Sequence, residues 1–328
     1  MRVFITRKLD PAVVRQLIEN GIEVTEWTEK RDLNPRELSE YCSRSDGLIS
    51  VGGNKLDSHF LSENTHLRFI ALHAVGYDNV DVPAATRLGI PVGNTPGVVS
   101  RATADTAFLL MLAVSRKAFF HHKRILRGDW TFFDPGANLG IELDGKTLGI
   151  FGLGNIGLQF ARRARAAFGM EIIYHNRGRN EKAELELEAR KVSFEDLLAQ
   201  SDVLSVHASL NEENTGIFNG QAFERMKRSA IFINTSRGKL HDEADLVTAL
   251  QAQQIWGAGL DVTNPEPMDP NHLLLQMDNV CITPHIGTST RETRAEMARL
   301  IVENALAASR GEKLPYIVNP EVYEQKHS

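Results

Sequence analysis

Thr147-Leu148-Gly149-Ile150-Phe151-Gly152-Leu153-Gly154-Asn155-Ile156-Gly157 is the stretch whose reading decides the fold. An apolar run enters a Gly-x-Gly-x-x-Gly turn, and Leu158 to Phe168 continues with helical spacing. Strand, tight glycine turn and helix, in that order, open a dinucleotide-binding βαβ unit. Gly152 permits the turn, Gly154 lets the backbone approach a pyrophosphate, and Gly157 lets the helix close on the strand. The phosphates then meet the unsatisfied N–H groups of the first helical turn, which begins with Asn155 and Ile156. The bare motif is common; its flanking strand and helix give it weight.

Outward from this stretch the chain alternates strands and helices. Downstream, Glu171–His175, Val203–Val206, Ala230–Asn234, Gly257–Asp261 and Val280–Ile282 read as strands. Upstream, Val3–Thr6, Glu23–Glu26, Gly47–Ser50, Arg68–Leu72 and Pro91–Val92 do the same, with helical spacing at Pro11–Glu19, Pro35–Ser43 and Val82–Leu88. Both series imply parallel sheets covered by helices, an α/β architecture in two domains. The first series has no glycine-rich phosphate loop, so the nucleotide belongs to the second. A long helix is expected from Val99 to Leu126, with an apolar segment from Phe108 to Val114 suited to linking domains or pairing two subunits. A loop from Gly128 to Gly140 follows it, and Thr290 to Ala308 reads as one amphipathic helix.

A chain of 328 residues suits two cores better than one. With 42% hydrophobic and 24% charged residues it reads as globular rather than disordered. Its net charge of −5 argues against nucleic acid or an anionic membrane as partner. Two cysteines, Cys42 and Cys281, without a CxxC pair, support neither a disulfide framework nor a cysteine zinc site. The N-terminus reads as a buried strand rather than a signal peptide, and no apolar run is long enough to span a bilayer. A cytoplasmic location is expected.

The strand after the glycine loop selects the cofactor. NAD sites carry an acid there for the ribose 2′-OH, whereas this chain reads Tyr174-His175-Asn176-Arg177-Gly178-Arg179. A carboxylate would repel a 2′-phosphate; Asn176, Arg177 and Arg179 offer it donors, and the arginine fork fits phosphate oxygens. NADPH is therefore the expected cofactor, with NADH possible.

Three further blocks carry chemistry. Asn234-Thr235-Ser236-Arg237-Gly238 follows a strand and presents a guanidinium, which matches the adjacent carboxylate and carbonyl oxygens of a 2-oxo acid. Glu266 lies in Asn264-Pro265-Glu266-Pro267, and His285 in Thr283-Pro284-His285-Ile286-Gly287. A carboxylate bonded to one imidazole nitrogen fixes the tautomer, raises the pKa and keeps a proton on the other nitrogen for general-acid work. Arginine and imidazolium supply the electrophilic stabilisation that would otherwise call for zinc, so no metal is expected.

Together these blocks resemble the D-isomer-specific 2-hydroxyacid dehydrogenases, nearest the glyoxylate/hydroxypyruvate and 2-ketogluconate reductases, over nearly the whole chain. The resemblance implies a discontinuous substrate-binding domain (1–99 plus 290–328), flavodoxin-like, and a Rossmann domain (100–289), with the active site in the cleft between them. It implies Arg237, Glu266 and His285 as the catalytic set. Thr103, Thr235 and Asp261 are implied as cofactor contacts beside the glycine loop; Asp261 either orients the nicotinamide carboxamide or supports its loop. Substrate walls are implied at Gly52-Gly53 and at Val75-Gly76. A homodimer is also implied, as is a small 2-oxo acid reduced to the D-2-hydroxy acid. Glu266 speaks for ketone/alcohol chemistry, since formate dehydrogenases of the same superfamily place a glutamine there. Where many relatives have a proline, the chain reads His207-Ala208-Ser209-Leu210. An alternative from another class is a nicotinamide-nucleotide-sensing, co-repressor-like binding protein on the same fold.

Overall fold

Near-continuous apolar runs build the inner strands, as parallel strands buried on both faces require, while the edge strands at Glu23–Glu26 and Arg190–Lys191 are polar. In the computed structural model, which describes residues 1–324, the chain divides into two compact units: Met1–Val99 with the segment from Thr290, and Ser100–Ser289. Residues 325–328 of the expected 290–328 segment lie outside the described residues.

In the first unit β1 (Arg2–Ile5), β2 (Glu23–Glu26), β3 (Gly47–Ser50), β4 (Ile70–Leu72) and β5 (Val92–Gly93) form a parallel sheet in the order β2-β1-β3-β4-β5. That order is the flavodoxin-like one. The connecting helices are α1 (Pro11–Glu19), α2 (Pro35–Cys42), α3 (Ser58–Glu63) and α4 (Val82–Arg87). Each starts on a side chain that accepts a backbone N–H: Asp10, Asn34, Asp57 and Asp81. Asn34 and Glu37 close a reciprocal capping box. The six-residue α3 has too few turns for helical periodicity to show in the sequence.

The second unit begins with a correction. The single helix expected from Val99 to Leu126 is two, α5 (Ser100–Ser115) and α6 (Ala118–Arg127), with Lys117 between them at φ 51°. The Ser115 carbonyl is diverted to the N–H of Ile141 at 2.8 Å, and the Ser115 hydroxyl bonds back to Leu112 O. A helix whose carbonyl is taken by a crossing loop stops there. The expected interface segment is largely spent on this break's near side: Leu110, Met111, Ala113 and Val114 are buried in the unit's own core.

The remaining strands are β6 (Thr147–Phe151), β7 (Glu171–His175), β8 (Arg190–Lys191), β9 (Val203–Val206), β10 (Ile231–Asn234), β11 (Gly257–Leu260) and β12 (Val280–Ile282). They pair in parallel in the order β12-β11-β10-β9-β6-β7-β8. This is the Rossmann order with one further strand, and its switch point falls at β6, where neighbours β7 and β9 lie on opposite sides. Helices α7 (Asn155–Phe168), α8 (Glu181–Leu187), α9 (Phe194–Gln200), α10 (Gly220–Arg225) and α11 (Glu243–Gln251) connect these strands. The chain then enters α12 (Arg291–Ser309), capped by Thr290, whose Ile301, Val302, Ala305 and Ala308 pack with Val3, Ile5 and Leu17 of the first unit. Among the described residues no helix is long and apolar enough to cross a membrane.

Candidate active site

The glycine loop leaves β6 at the switch point, where open α/β sheets bind their ligands. Gly152 sits at φ +91°, and a Cβ there would lie 2.5 Å from Ala208 N. Both the conformation and the neighbouring backbone therefore demand glycine. At Gly157 a Cβ would press on Ile150 and the Gly152 carbonyl, whereas at Gly154 it would meet open space. Gly154 begins α7 with no capping side chain, so the first N–H groups of the helix, with exposed Asn155 and half-buried Ile156, stand open to an anion.

Asn176, expected to face a 2′-phosphate, also braces this loop. Its Oδ1 accepts from Leu153 N at 2.7 Å and its Nδ2 donates to Leu153 O, an acceptor shared with Asn180. Leu153 is buried, so its backbone groups need these partners. Arg179 is paired with Glu184. Arg177 is exposed, and its guanidinium carries no hydrogen bond or ion pair among the described residues; Lys191 donates to its carbonyl. Of the two arginines named from the sequence, Arg177 is the one not paired with an acid among the described residues.

The blocks of Arg237, Glu266 and His285 follow three adjacent parallel strands and therefore emerge at one edge. Arg237 follows β10, Asp261 and Glu266 follow β11, and His285 follows β12. Bonds from Asp261 N to Asn234 O (2.9 Å) and from Thr283 N to Leu260 O (2.8 Å) carry the ladders past the strand ends. A Cβ on Gly238 would lie 2.0 Å from Thr263 O, so the arginine loop is pressed directly on the glutamate loop. Fully buried Asn234 ties the arginine turn: its Nδ2 donates to Arg237 O and its Oδ1 accepts from Ser236 N. Sequence reasoning passed over Asn234; its signal was a polar residue ending an otherwise apolar strand.

His285 donates from Nδ1 to Glu266 Oε2 at 2.8 Å, which leaves Nε2 as the ring atom that faces away from the carboxylate. The other glutamate oxygen accepts from Thr263 N at 3.1 Å. The His285 side chain is 50% exposed and that of Glu266 39%, so the pair is reachable by a ligand. The bond from Glu266 raises the His285 pKa; burial opposes it, the charges of Glu266 and Asp261 add to the rise, and Arg237 lowers it. Burial would raise the Glu266 pKa, but the bond and charge of His285, the Thr263 N–H and Arg237 together bring it below its ordinary value. Both shifts favour imidazolium beside carboxylate. The Arg237 charge lowers the pKa of both groups.

Asp261, only 1% exposed, accepts from Thr283 Oγ1 (2.6 Å), Ile286 N (2.8 Å) and Gly287 N (2.7 Å). Of the two roles left open by the sequence, these bonds are those of loop support. Thr103 Oγ1 donates to Gly287 O at 3.1 Å and steadies the same loop from α5. His285 itself takes φ 55°, a left-handed conformation that side chains avoid unless their surroundings impose it. Thr235 is nearly buried, its hydroxyl 3.5 Å from Nδ1 of His207, whose Nε2 meets Ser205 Oγ. Burial pushes His207 down to about 3, so the ring is neutral.

In the first unit Gly52-Gly53 and Val75-Gly76 follow β3 and β4, which are neighbours in the sheet. Gly52 and Gly53 are exposed, with open space at both Cβ positions. Asn94 anchors the second loop by donating to Val75 O at 2.8 Å. No group of histidine, cysteine and acidic side chains able to hold a metal occurs among the described residues.

Comparison with known proteins fits this geometry. Residues 108–287 match the family model for the D-isomer specific 2-hydroxyacid dehydrogenase, NAD binding domain. A glyoxylate reductase of Korarchaeum cryptofilum is 41% identical over 322 residues, covering 98% of this chain and 96% of that protein. The crystal structure of a glyoxylate reductase from Paecilomyes thermophila superposes with a TM-score of 0.85 at 35% identity and covers 98% of each chain. An NADPH-dependent glyoxylate/hydroxypyruvate reductase from Sinorhizobium meliloti, solved with NADP and malonate, gives 0.83 at 32% identity, covering 98% of this chain and 97% of that one. The chain belongs to the D-isomer specific 2-hydroxyacid dehydrogenase family. It is an NAD(P)-dependent oxidoreductase.

Replacing Asp261 with Ala strands three donors in a nearly solvent-free site. The expected loss of stability is about 3 kcal/mol or more, from roughly 1–3 kcal/mol per unsatisfied buried group. Urea unfolding measures it; a change below about 0.5 kcal/mol, the size of an ordinary surface substitution, contradicts the clamp.

Proposed function

We propose that this protein is an NADPH-preferring reductase that converts small 2-oxo acids of the glyoxylate, hydroxypyruvate or 2-ketogluconate type to D-2-hydroxy acids. The observation that carries the reading is the bond from His285 Nδ1 to Glu266 Oε2 at 2.8 Å, at strand ends shared with Arg237. The glycine loop fits a dinucleotide, since Gly152 and Gly157 leave no room for side chains while Gly154 faces open space. When bound, the nicotinamide supplies the hydride. Arg237 binds the oxo-acid carboxylate and polarises the neighbouring carbonyl. His285 delivers the proton from Nε2 to the carbonyl oxygen, and Glu266 holds the ring and stabilises its charged form. Thr103, Thr235 and the loop of Asp261 serve the nicotinamide end of the cofactor. Gly52, Gly53, Val75 and Gly76 offer backbone to the substrate carboxylate.

Arg177 is proposed to pair with the 2′-phosphate of NADPH; Asn176 contributes by shaping the loop. The nucleotide-sensing alternative is not favoured, because relatives at about 41% identity over nearly the full length are named as reductases. A cytoplasmic homodimer completes the proposal. Its support has moved from α5 to the far end of α6 and the following loop, where Leu126, Trp130, Phe132 and Phe133 are 73%, 64%, 71% and 82% exposed. So large an apolar surface calls for a cover.

Variants at three positions, cofactor kinetics and light scattering test this reading. In His285→Ala, turnover should fall by about a hundredfold or more while NADPH binding survives. In Glu266→Gln, the histidine pKa falls and the alkaline limit of reduction moves to lower pH, since the acid must be protonated to act. Near-normal turnover in the first variant, or an unmoved limit in the second, overturns the proton-donor assignment. Arg177→Ala should weaken NADPH binding by roughly 1.5–3 kcal/mol and NADH binding little; an unmodified enzyme with equal or better kcat/KM for NADH contradicts the preference. Light scattering should read twice the 36.5 kDa chain mass; a fully active monomer at micromolar concentration rules the dimer out.

A further inference from the structure

A second glutamate–histidine pair lies behind the first. Glu243 is the opening residue of α11, a helix already capped by Asp242, which accepts from Asp245 N. The Glu243 side chain leaves its own helix. Its Oε1 accepts from Asn264 N at 2.5 Å, and its Oε2 lies 3.6 Å from His272 Nε2. Nδ1 of His272 accepts from Leu274 N, which leaves its proton on Nε2, toward the glutamate. The consecutive amides of Thr263 and Asn264 are thus taken by two different carboxylates, the first by Glu266 and the second by Glu243. Glu266 is held on one side by the loop it sits in and on the other by His285.

This arrangement carries an electrostatic cost. The Glu243 side chain is only 12% exposed. Burial raises its pKa; the Asn264 N–H and His272 oppose that, while Asp242 and Glu266 push it further up. A neutral acceptor would hold a loop without placing a second negative group near Glu266. What Glu243 adds is reach: from α11 its side chain spans to the Asn264 N–H, a distance a shorter acid at the same position would not cover.

We propose that Glu243 is a positioning residue for proton delivery: by gripping Asn264 N it fixes the loop that carries Glu266, and through Glu266 the orientation of His285. His272 Nε2 stands beside the glutamate's other oxygen. The inference rests on the proton-donor reading of the His285–Glu266 pair.

Two variants separate reach from charge. Glu243→Asp keeps the charge and a residue favoured in a first helical turn, but is one methylene too short to grip Asn264. Glu243→Gln keeps the reach and an acceptor. With hydroxypyruvate and NADPH, kcat of Glu243→Asp should fall about tenfold or more, as a misplaced catalytic group entails. Its alkaline limit should move down by roughly half a pH unit or more as His285 loses its aligned partner. The NADPH dissociation constant, read by fluorescence titration, should stay within about twofold, because the glycine loop is untouched. Glu243→Gln should recover most of kcat and the parental limit. Parental kcat and limit in Glu243→Asp overturn the inference. So does a kcat loss with an unmoved limit, or one that tracks lost NADPH affinity, since either marks general damage. Glu266→Gln, measured alongside, tells the two readings apart. If its limit shifts and that of Glu243→Asp does not, this inference alone falls; if its limit stays in place, both fall.

Discussion

The carboxylate of Asp261, almost wholly withdrawn from solvent, accepts hydrogen bonds from Thr283, Ile286 and Gly287, and the rest of the site depends on that clamp. It binds the end of β11 to the turn beyond β12, so that two loops from neighbouring strands share one rigid joint. His285 sits in the middle of the clamped turn at a backbone angle it would not adopt alone. Burial raises the Asp261 pKa and the three bonds oppose it, so losing any one of them is costly and the joint resists partial opening. The imidazole is thereby delivered to Glu266 rather than left to find it.

The charges at this edge have opposing effects. Glu266 and Asp261 favour the protonated imidazole, and Arg237 disfavours it. A proton donor for a ketone should hold its proton at working pH yet release it in the transition state, and such a balance suits that task. Arg237 also favours the ionised form of Glu266, so the pair and the guanidinium form one coupled set. The neutral, buried His207 beside Thr235 adds no charge to it.

Much of this was legible in the sequence because chemistry fixes residue type where a strand ends. The glycine loop, Arg237, Glu266 and His285 each follow an apolar strand, and parallel pairing of β10, β11 and β12 brings the last three blocks to one edge. The parallel pairing of both sheets follows from the β/α alternation, whereas the strand orders came into view with the structure. What the sequence hid depends on partners distant along the chain. The bracing of the Leu153 backbone by Asn176 depends on a loop twenty-odd residues earlier. The helix break at Lys117 is imposed by Ile141, which captures the Ser115 carbonyl, and no local propensity announces it. Glu243 reads as an ordinary first-turn acid until Asn264 is seen beside it.

The central claim is that these residues reduce a 2-oxo acid with defined handedness. The most direct measurement incubates the enzyme with hydroxypyruvate and NADPH, follows nicotinamide absorbance, and resolves the product on a chiral column. The account predicts one glycerate formed per NADPH oxidised, all of it the D isomer. Glycerate of the L form, a mixture of the two, or no oxidation of NADPH with any 2-oxo acid tried would contradict it.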